Sequence, residues 1–210
     1  PEQVEFKEAA LIEPLSCCFN CRQAMGIEPG ENLLIFGAGP MGNLHLLLNQ
    51  QLGIGKTMVV DVDEKRLEFS KKYGADYIIN GKTEVIDKIM KITDNKGANN
   101  IITTAPVQAV QEQALELVSR TGKINFFAGI SGEPELKINP NKLHYEQVKL
   151  LGTTGSSHHQ FRQTVKMIQN KKLNIKQMAT KVIGLKRLES IFEEKSVFRN
   201  NMKILVDPSK

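Results

Sequence analysis

A chain of 210 residues has room for one large domain, or for one domain and a piece of another. Hydrophobic residues make up 40% and charged residues 24%, the balance of a globular protein, and no apolar run nears the roughly 18 residues of a membrane helix, so no membrane partner is expected. The net charge of +5 raises nucleic acid as a partner, but Lys65, Lys71, Lys72, Lys88, Lys91, Lys166, Lys171 and Lys172 are dispersed over helical faces with no aromatic-interleaved basic block, so none is expected.

Nothing at the start reads as a basic-then-apolar signal peptide, and a cytoplasmic location is expected. Residues Pro1 to Met25 predict helix, in two pieces about Glu13-Pro14, because proline disfavours a helical residue before it. Cys17, Cys18 and Cys21 fall in this segment. Three cysteines argue against a disulfide framework. A zinc cage normally takes four ligands, and no second Cys or His pair stands at zinc-finger spacing, so packing is favoured over a metal site. Ile27 to Glu31 is a turn.

Leu33 to Phe36 is a short apolar run that predicts a strand. Gly37-Ala38-Gly39-Pro40-Met41-Gly42 follows, then a helical pattern to about Leu52. Met58-Val59-Val60 predicts a second strand, ending at Asp61. Strand, glycine turn, helix, strand and acid together form the dinucleotide-binding fingerprint, which a bare G-x-G-x-x-G would not establish. Gly37 serves the sharp turn, Gly39 lets backbone approach a pyrophosphate, and Gly42 lets helix pack on strand. The helix N-terminus favours the phosphates. Asp61 would accept bonds from the adenosine ribose hydroxyls and repel the 2′-phosphate of NADP, so NAD is the expected cofactor. The plainer reading is a glycine turn that binds nothing.

The alternation continues. Helix is predicted from about Asp63 to Tyr73, strand at Tyr77 to Ile79, and helix from an N-cap at Thr83 to about Ile92. Strand is predicted at Asn100 to Thr103, amphipathic helix at Pro106 to Ser119 and strand at Lys123 to Ala128. Residues 131–142 read as loop, with His144 in a connector, and Val148 to Thr153 as the last core strand. The tail predicts helix at His158 to Asn170, strand at Thr180 to Ile183, helix at Leu185 to Lys195 and strand at Met202 to Val206. Strands alternating with helices imply an α/β fold, a Rossmann doubly wound parallel six-stranded sheet of order 3-2-1-4-5-6. The tail breaks that pattern. The histidines (His45, His144, His158, His159) read as structural, and His158 and His159, being adjacent, do not share a helix face from which to hold one metal.

Glu13-Pro14-Leu15-Ser16-Cys17, Pro29-Gly30-Glu31, Gly37 to Gly42, Asp61, Arg66-Leu67, Gly74-Ala75-Asp76 and Leu143-His144-Tyr145, in that order, closely resemble the zinc-dependent medium-chain dehydrogenases, nearest the sorbitol and threonine branch. The resemblance covers nearly the whole chain. It implies a linking helix from a catalytic lobe at 1–27, an NAD(P)-binding domain at 28–156 and a segment returning to that lobe at 157–210. The GroES-like catalytic lobe, with its zinc-binding Cys and His-Glu pair, is not in this sequence. The resemblance implies cofactor contacts from Gly37, Ala38, Gly39, Pro40, Met41, Gly42, Asp61, Arg66, Ala128, Ile130, Thr153 and Lys203. Glu13 matches a glutamate at or near the catalytic zinc; otherwise it is a helix-end surface acid, as Arg66 could be an ordinary exposed arginine. No catalytic residue is assignable in this chain.

The function implied is the NAD-binding part of a zinc-dependent alcohol or polyol dehydrogenase, inactive alone. It would pass hydride from a small-molecule secondary alcohol to NAD, with zinc in the full-length enzyme, as a homodimer or homotetramer. Two alternatives stand beside it: a non-catalytic nucleotide-binding or regulatory domain, and a zinc-free, NADPH-dependent quinone-reductase-like enzyme. Asp61 and the Glu13 to Ser16 segment count against the last.

Overall fold

The computed structural model describes residues 3–210, the side chain of Lys195 excepted. Its centre is a six-stranded parallel sheet: β1 (Leu33–Phe36), β2 (Thr57–Asp61), β3 (Tyr77–Asn80), β4 (Ala98–Thr103), β5 (Val118–Phe126) and β6 (Lys149–Gly152). The strands lie in the order β3-β2-β1-β4-β5-β6, the doubly wound order that the sequence predicts. Central β1 pairs Leu33 with Thr57 on one side and with Asn100 on the other. All four of its residues are buried, which explains a continuous apolar run where a one-faced strand would alternate.

The pleat divides these residues between two cores. Leu33, Ile35, Val59 and Ile102 face the layer of α1 (Phe6–Met25), α2 (Pro40–Gln50) and α7 (His158–Gln169). Leu34, Phe36, Met58, Val60, Ile101 and Ile124 face the layer of α4 (Val85–Ile92) and α5 (Gln108–Leu117). Helix α3 (Glu64–Lys72) joins β2 to β3, and α6 (Pro140–Glu146) leads into β6. Because β1 is flanked by β2 and β4, the chain reverses its winding there, and a crevice opens beyond the carboxyl ends of those strands. The tail forms a second unit in which β7 (Ala179–Gly184) and β8 (Lys203–Asp207) pair in parallel. Between them lie α8 (Leu188–Glu193) and α9 (Lys195–Asn200), over a small core of Ile183, Ile191 and Val197.

Several local expectations are corrected. The first helix runs unbroken from Phe6 to Met25 with Pro14 inside it; Pro1 and Glu2, included in the predicted helix, lie outside the described residues. Leu11 and Ile12 before the proline, and Leu15, Cys18 and Phe19 after it, bury into one core, and that packing carries the axis through. Thr83 does not cap α4: its hydroxyl donates to the Asn80 carbonyl at 2.7 Å, and Glu84 holds the N-cap position. The loop at 131–142 ends in α6, so His144 is helical rather than in a connector. Strand β5 begins at Val118, five residues early, because a bulge opposite Ala98 and Asn100 carries it through Thr121 at φ 60°. The helix predicted over Leu185 to Lys195 is a 3-10 turn followed by α8, and α9 is an additional helix.

Candidate functional site

The glycine loop sits at the carboxyl end of β1, and each glycine has a distinct steric reason. Gly37 has φ 105°, a left-handed conformation, and a Cβ there would strike the Thr104 hydroxyl. A Cβ on Gly42 would overlap the Gly37 carbonyl and meet Thr104 Oγ1 at 3.2 Å. This is close helix-to-strand packing. Gly39 differs: a Cβ would face open space, with only the Arg66 guanidinium within 4 Å, at 3.8 Å. Of the three, Gly39 alone has open space where a Cβ would stand. Gly39 is the N-cap of α2, with Pro40 at the first helical position, so the helix directs its N-terminal N–H groups and partial positive charge outward from this loop. Ala38 is buried and Met41 partly buried.

Two residues that sequence reasoning missed hold the loop. Asn43 is fully buried, and its Nδ2 donates to the Ala38 carbonyl at 2.7 Å and the Gly39 carbonyl at 3.1 Å. Its Oδ1 accepts from Ser70 Oγ at 2.9 Å. Thr104 Oγ1 donates to the Phe36 carbonyl at 2.8 Å and lies 3.2 Å from that of Gly37. Asn43 could have been noticed as an amide interrupting an apolar helix; Thr104 carried no sequence signal, since its role depends on β4 lying beside β1.

Asp61 ends β2 next to this loop. Its Oδ2 accepts from the Ala38 N–H at 2.7 Å and its Oδ1 from the Asp63 N–H at 2.8 Å. The carboxylate is thereby fixed at the lip of a cleft of about 240 Å³, walled by Phe36, Gly37, Val60, Val62, Gly81 and Val107. That volume is below the roughly 300–1,000 Å³ of a typical whole-ligand pocket, and suits one half of a dinucleotide. Asp63 caps α3, accepting from the Lys65 N–H at 3.0 Å. Burial opposes ionisation of its carboxyl, but the Arg199 side chain and the Lys65 and Arg66 N–H groups hold it below the usual carboxylate range. A larger cavity of about 880 Å³ lies between the start of α1 and β8 and does not touch the glycine loop. The chemistry points to the smaller cleft.

The remaining expected contacts lie outside the lining of that cleft. The Ala128 N–H donates to the Thr103 carbonyl at 2.9 Å, which extends β5 pairing past its end, and Ile130 follows in the open loop. Thr153 Oγ1 donates to Asn125 Oδ1 at 3.1 Å. Lys203 opens β8, and its neighbour Met202 receives Asn43 Nδ2 at 3.7 Å, which brings the tail to the loop.

Glu13 lies on the exposed side of α1, where its Oε1 accepts from Cys17 Sγ at 3.4 Å. Among the described residues no three His, Cys, Asp or Glu side chains are grouped to hold a metal. Burial pushes the Cys21 thiol up to about 12 and the Cys18 thiol well above its ordinary value, and burial with the Glu13 carboxylate beside it also raises Cys17. Cys18 and Cys21 are buried packing groups of α1, and Cys17 is half-buried. The residues present do not fit a zinc centre. Among the described residues no helix is long and apolar enough to cross a membrane.

A family model for zinc-binding dehydrogenases matches residues 40–170. The chain is 30% identical over 196 residues to an L-threonine 3-dehydrogenase of Pyrococcus furiosus, covering 92% of this chain and 56% of that protein. It is 26% identical over 212 residues to a sorbitol dehydrogenase of Bacillus subtilis, covering all of this chain and 60% of that one. The chain thus spans little more than half the length of these relatives. Its fold superimposes on the crystal structure of a 2R,3R-butanediol dehydrogenase from Bacillus subtilis with a TM-score of 0.87 at 23% identity, over 99% of this chain and 59% of that one.

Proposed function

This chain belongs to the zinc-binding dehydrogenase family, and from that premise we propose that it is the NAD-binding part of an alcohol or polyol dehydrogenase. One observation carries the reading: an open Gly39 backbone and the Asp61 carboxylate meet across a single hydrogen bond at the Ala38 N–H. In this reading the pyrophosphate lies over Gly39 at the N-terminus of α2, with Gly37, Ala38, Pro40, Met41 and Gly42 shaping the turn. Arg66, beside Gly39, supplies positive charge, and Lys203 approaches from the tail. Asp61 keeps two backbone donors and still has lone pairs for the ribose hydroxyls. Backbone near Ala128, Ile130 and Thr153 holds the nicotinamide. NAD supplies hydride acceptance; this chain binds it, orients it and disfavours a 2′-phosphate.

The substrate belongs to the whole enzyme. A secondary alcohol such as a polyol or a threonine-like compound is proposed on the likeness to the relatives above. Zinc would have to draw its donors mainly from outside these residues, with Glu13 contributing at most one. The division at residues 27 and 156, cytoplasmic residence and a homodimer or homotetramer are part of the same proposal.

The test is a titration with NADH and, separately, NADPH, followed by nicotinamide fluorescence, with Asp61→Ala alongside. NADH is expected to bind at least tenfold tighter than NADPH, and Asp61→Ala to erase most of that difference. A preference for NADPH would overturn the role given to Asp61 and favour a reductase. No binding of either would favour a domain that kept the fold without the cofactor.

A further inference from the structure

The second unit reaches the glycine loop from two directions. Met202 touches Asn43, which holds the Ala38 and Gly39 carbonyls. From the other side, Arg199 Nε donates to Asp63 Oδ2 at 2.7 Å, and Asn200 Oδ1 accepts from Lys65 Nζ at 2.8 Å. Both acceptor and donor on the α3 side belong to the first turn of that helix or its cap. Helix α9 is no loose strut. Its Val197 is buried with Ile183 and Ile191, and its last turn is closed by Asn201 Nδ2 on the Val197 carbonyl at 2.9 Å.

The bonds form a relay. Arg199 holds the Asp63 side chain, the Asp63 N–H holds Asp61 Oδ1, and the Ala38 N–H holds Asp61 Oδ2. We infer that Arg199 is a positioning residue for adenosine-ribose recognition: anchored on the second unit, it fixes the turn from Asp61 to Asp63 and thereby the aim of the Asp61 carboxylate. The inference rests on the proposed dinucleotide site and adds to it a residue that lies outside the fingerprint. The Arg199 side chain is 65% exposed and that of Asp63 16%, so the pair adds little to global stability. Its effect is on the orientation of one turn.

The experiment compares the 210-residue chain with Arg199→Ala and Arg199→Lys. Each is titrated with NADH and with an NADH analogue lacking the 2′-hydroxyl of the adenosine ribose, and each is melted without ligand. Arg199→Ala should bind NADH about fivefold more weakly, the scale of an exposed ion pair, and the deoxy analogue less than about twofold more weakly, because Asp61 then has less to recognise. Apo melting should not move, and Arg199→Lys should recover at least half of the loss. Wild-type affinity in Arg199→Ala, or equal losses for both ligands, would overturn the inference and leave the dinucleotide reading intact. Failure of the unsubstituted chain to bind NADH would overturn that reading and this inference with it.

Discussion

Gly39 and Gly42 stand three residues apart, and one added methyl should do opposite things at them. At Gly42 it meets backbone, the Gly37 carbonyl oxygen with its carbon at 3.0 Å, which cannot swing aside. Gly42→Ala should cost about 1–3 kcal/mol in denaturant unfolding, the range for overpacking a tight interior. At Gly39 the methyl meets open space, and the backbone φ of −73° suits any residue. Gly39→Ala should leave the unfolding midpoint within about 0.5 kcal/mol, yet weaken NADH binding at least tenfold by filling the place of the pyrophosphate. Equal stability losses in the two variants would remove the distinction between a packing glycine and a binding glycine. His45 poses a different single-residue question. It is fully buried on α2, edge-on to Phe127 with ring centroids 4.5 Å apart, and neither ring nitrogen has a partner. Burial pushes its pKa from the ordinary 6.5 to about 3. Above 6.5 the imidazole is neutral in both states and titrates nothing. Between 6.5 and about 3 the unfolded chain binds the extra proton, so stability falls as pH falls, by about 1.4 kcal/mol per unit. Urea unfolding at pH 7.5, 6 and 5 should show this slope in the wild type and its loss in His45→Leu, which should also be about 1 kcal/mol more stable at pH 7.5. An unchanged slope in the variant would assign the acid sensitivity to other groups.

At the scale of elements, legibility followed how local the cause was. The fingerprint from Leu33 to Asp61 could be read because its strands are buried runs and its turn needs glycine for reasons internal to the turn. The six-stranded order followed from the alternation alone. Pro14 misled because its neighbours on either side are clamped in a shared core that only the folded chain brings together. Thr83 misled because Asn80, three residues back, offers a competing acceptor. Helix α6 could have been found: Asn139 caps it, accepting from the Asn141 N–H at 3.0 Å, and Pro140 sits at its first position, a local signal masked by the loop-like composition around it. Helix α9 could not, since its six residues have no side-chain bond at the N-cap and are held chiefly by Val197 in a tertiary core. In the site, Gly39 and Asp61 were visible. Thr104 and Arg199 were not, because each acts through a partner on another element, whereas Asn43 shows as an amide in an apolar helix, four and five residues from the carbonyls it holds.

At the scale of the whole molecule, the glycine loop is a junction. Asp61 at the end of β2 bonds to it, Thr104 after β4 holds the strand that leads into it, and the second unit reaches it through Met202 on Asn43 and through Arg199 on Asp63. Helices α1 and α7 are stitched near the end of β6 as well, by Ser16 Oγ and Ser156 Oγ at 2.7 Å and by Gln160 Nε2 on Asn20 Oδ1 at 2.8 Å. A ligand bound only by the native junction must raise the stability of everything that the junction joins. With NADH at about 100 times its dissociation constant, linkage adds about 2.7 kcal/mol, and a domain of this size gains roughly 2–4 °C per kcal/mol. Scanning calorimetry should therefore show one transition displaced upward by roughly 5–10 °C, with the displacement largely lost in Asp61→Ala. Two transitions, of which NADH moves only the upper, would instead mean that the unit of β7 and β8 melts by itself. In that event the contacts of Met202 and Arg199 would not couple the tail to the cofactor, and the loop from Gly37 to Gly42 would have to hold its shape through Asn43 and Thr104 alone.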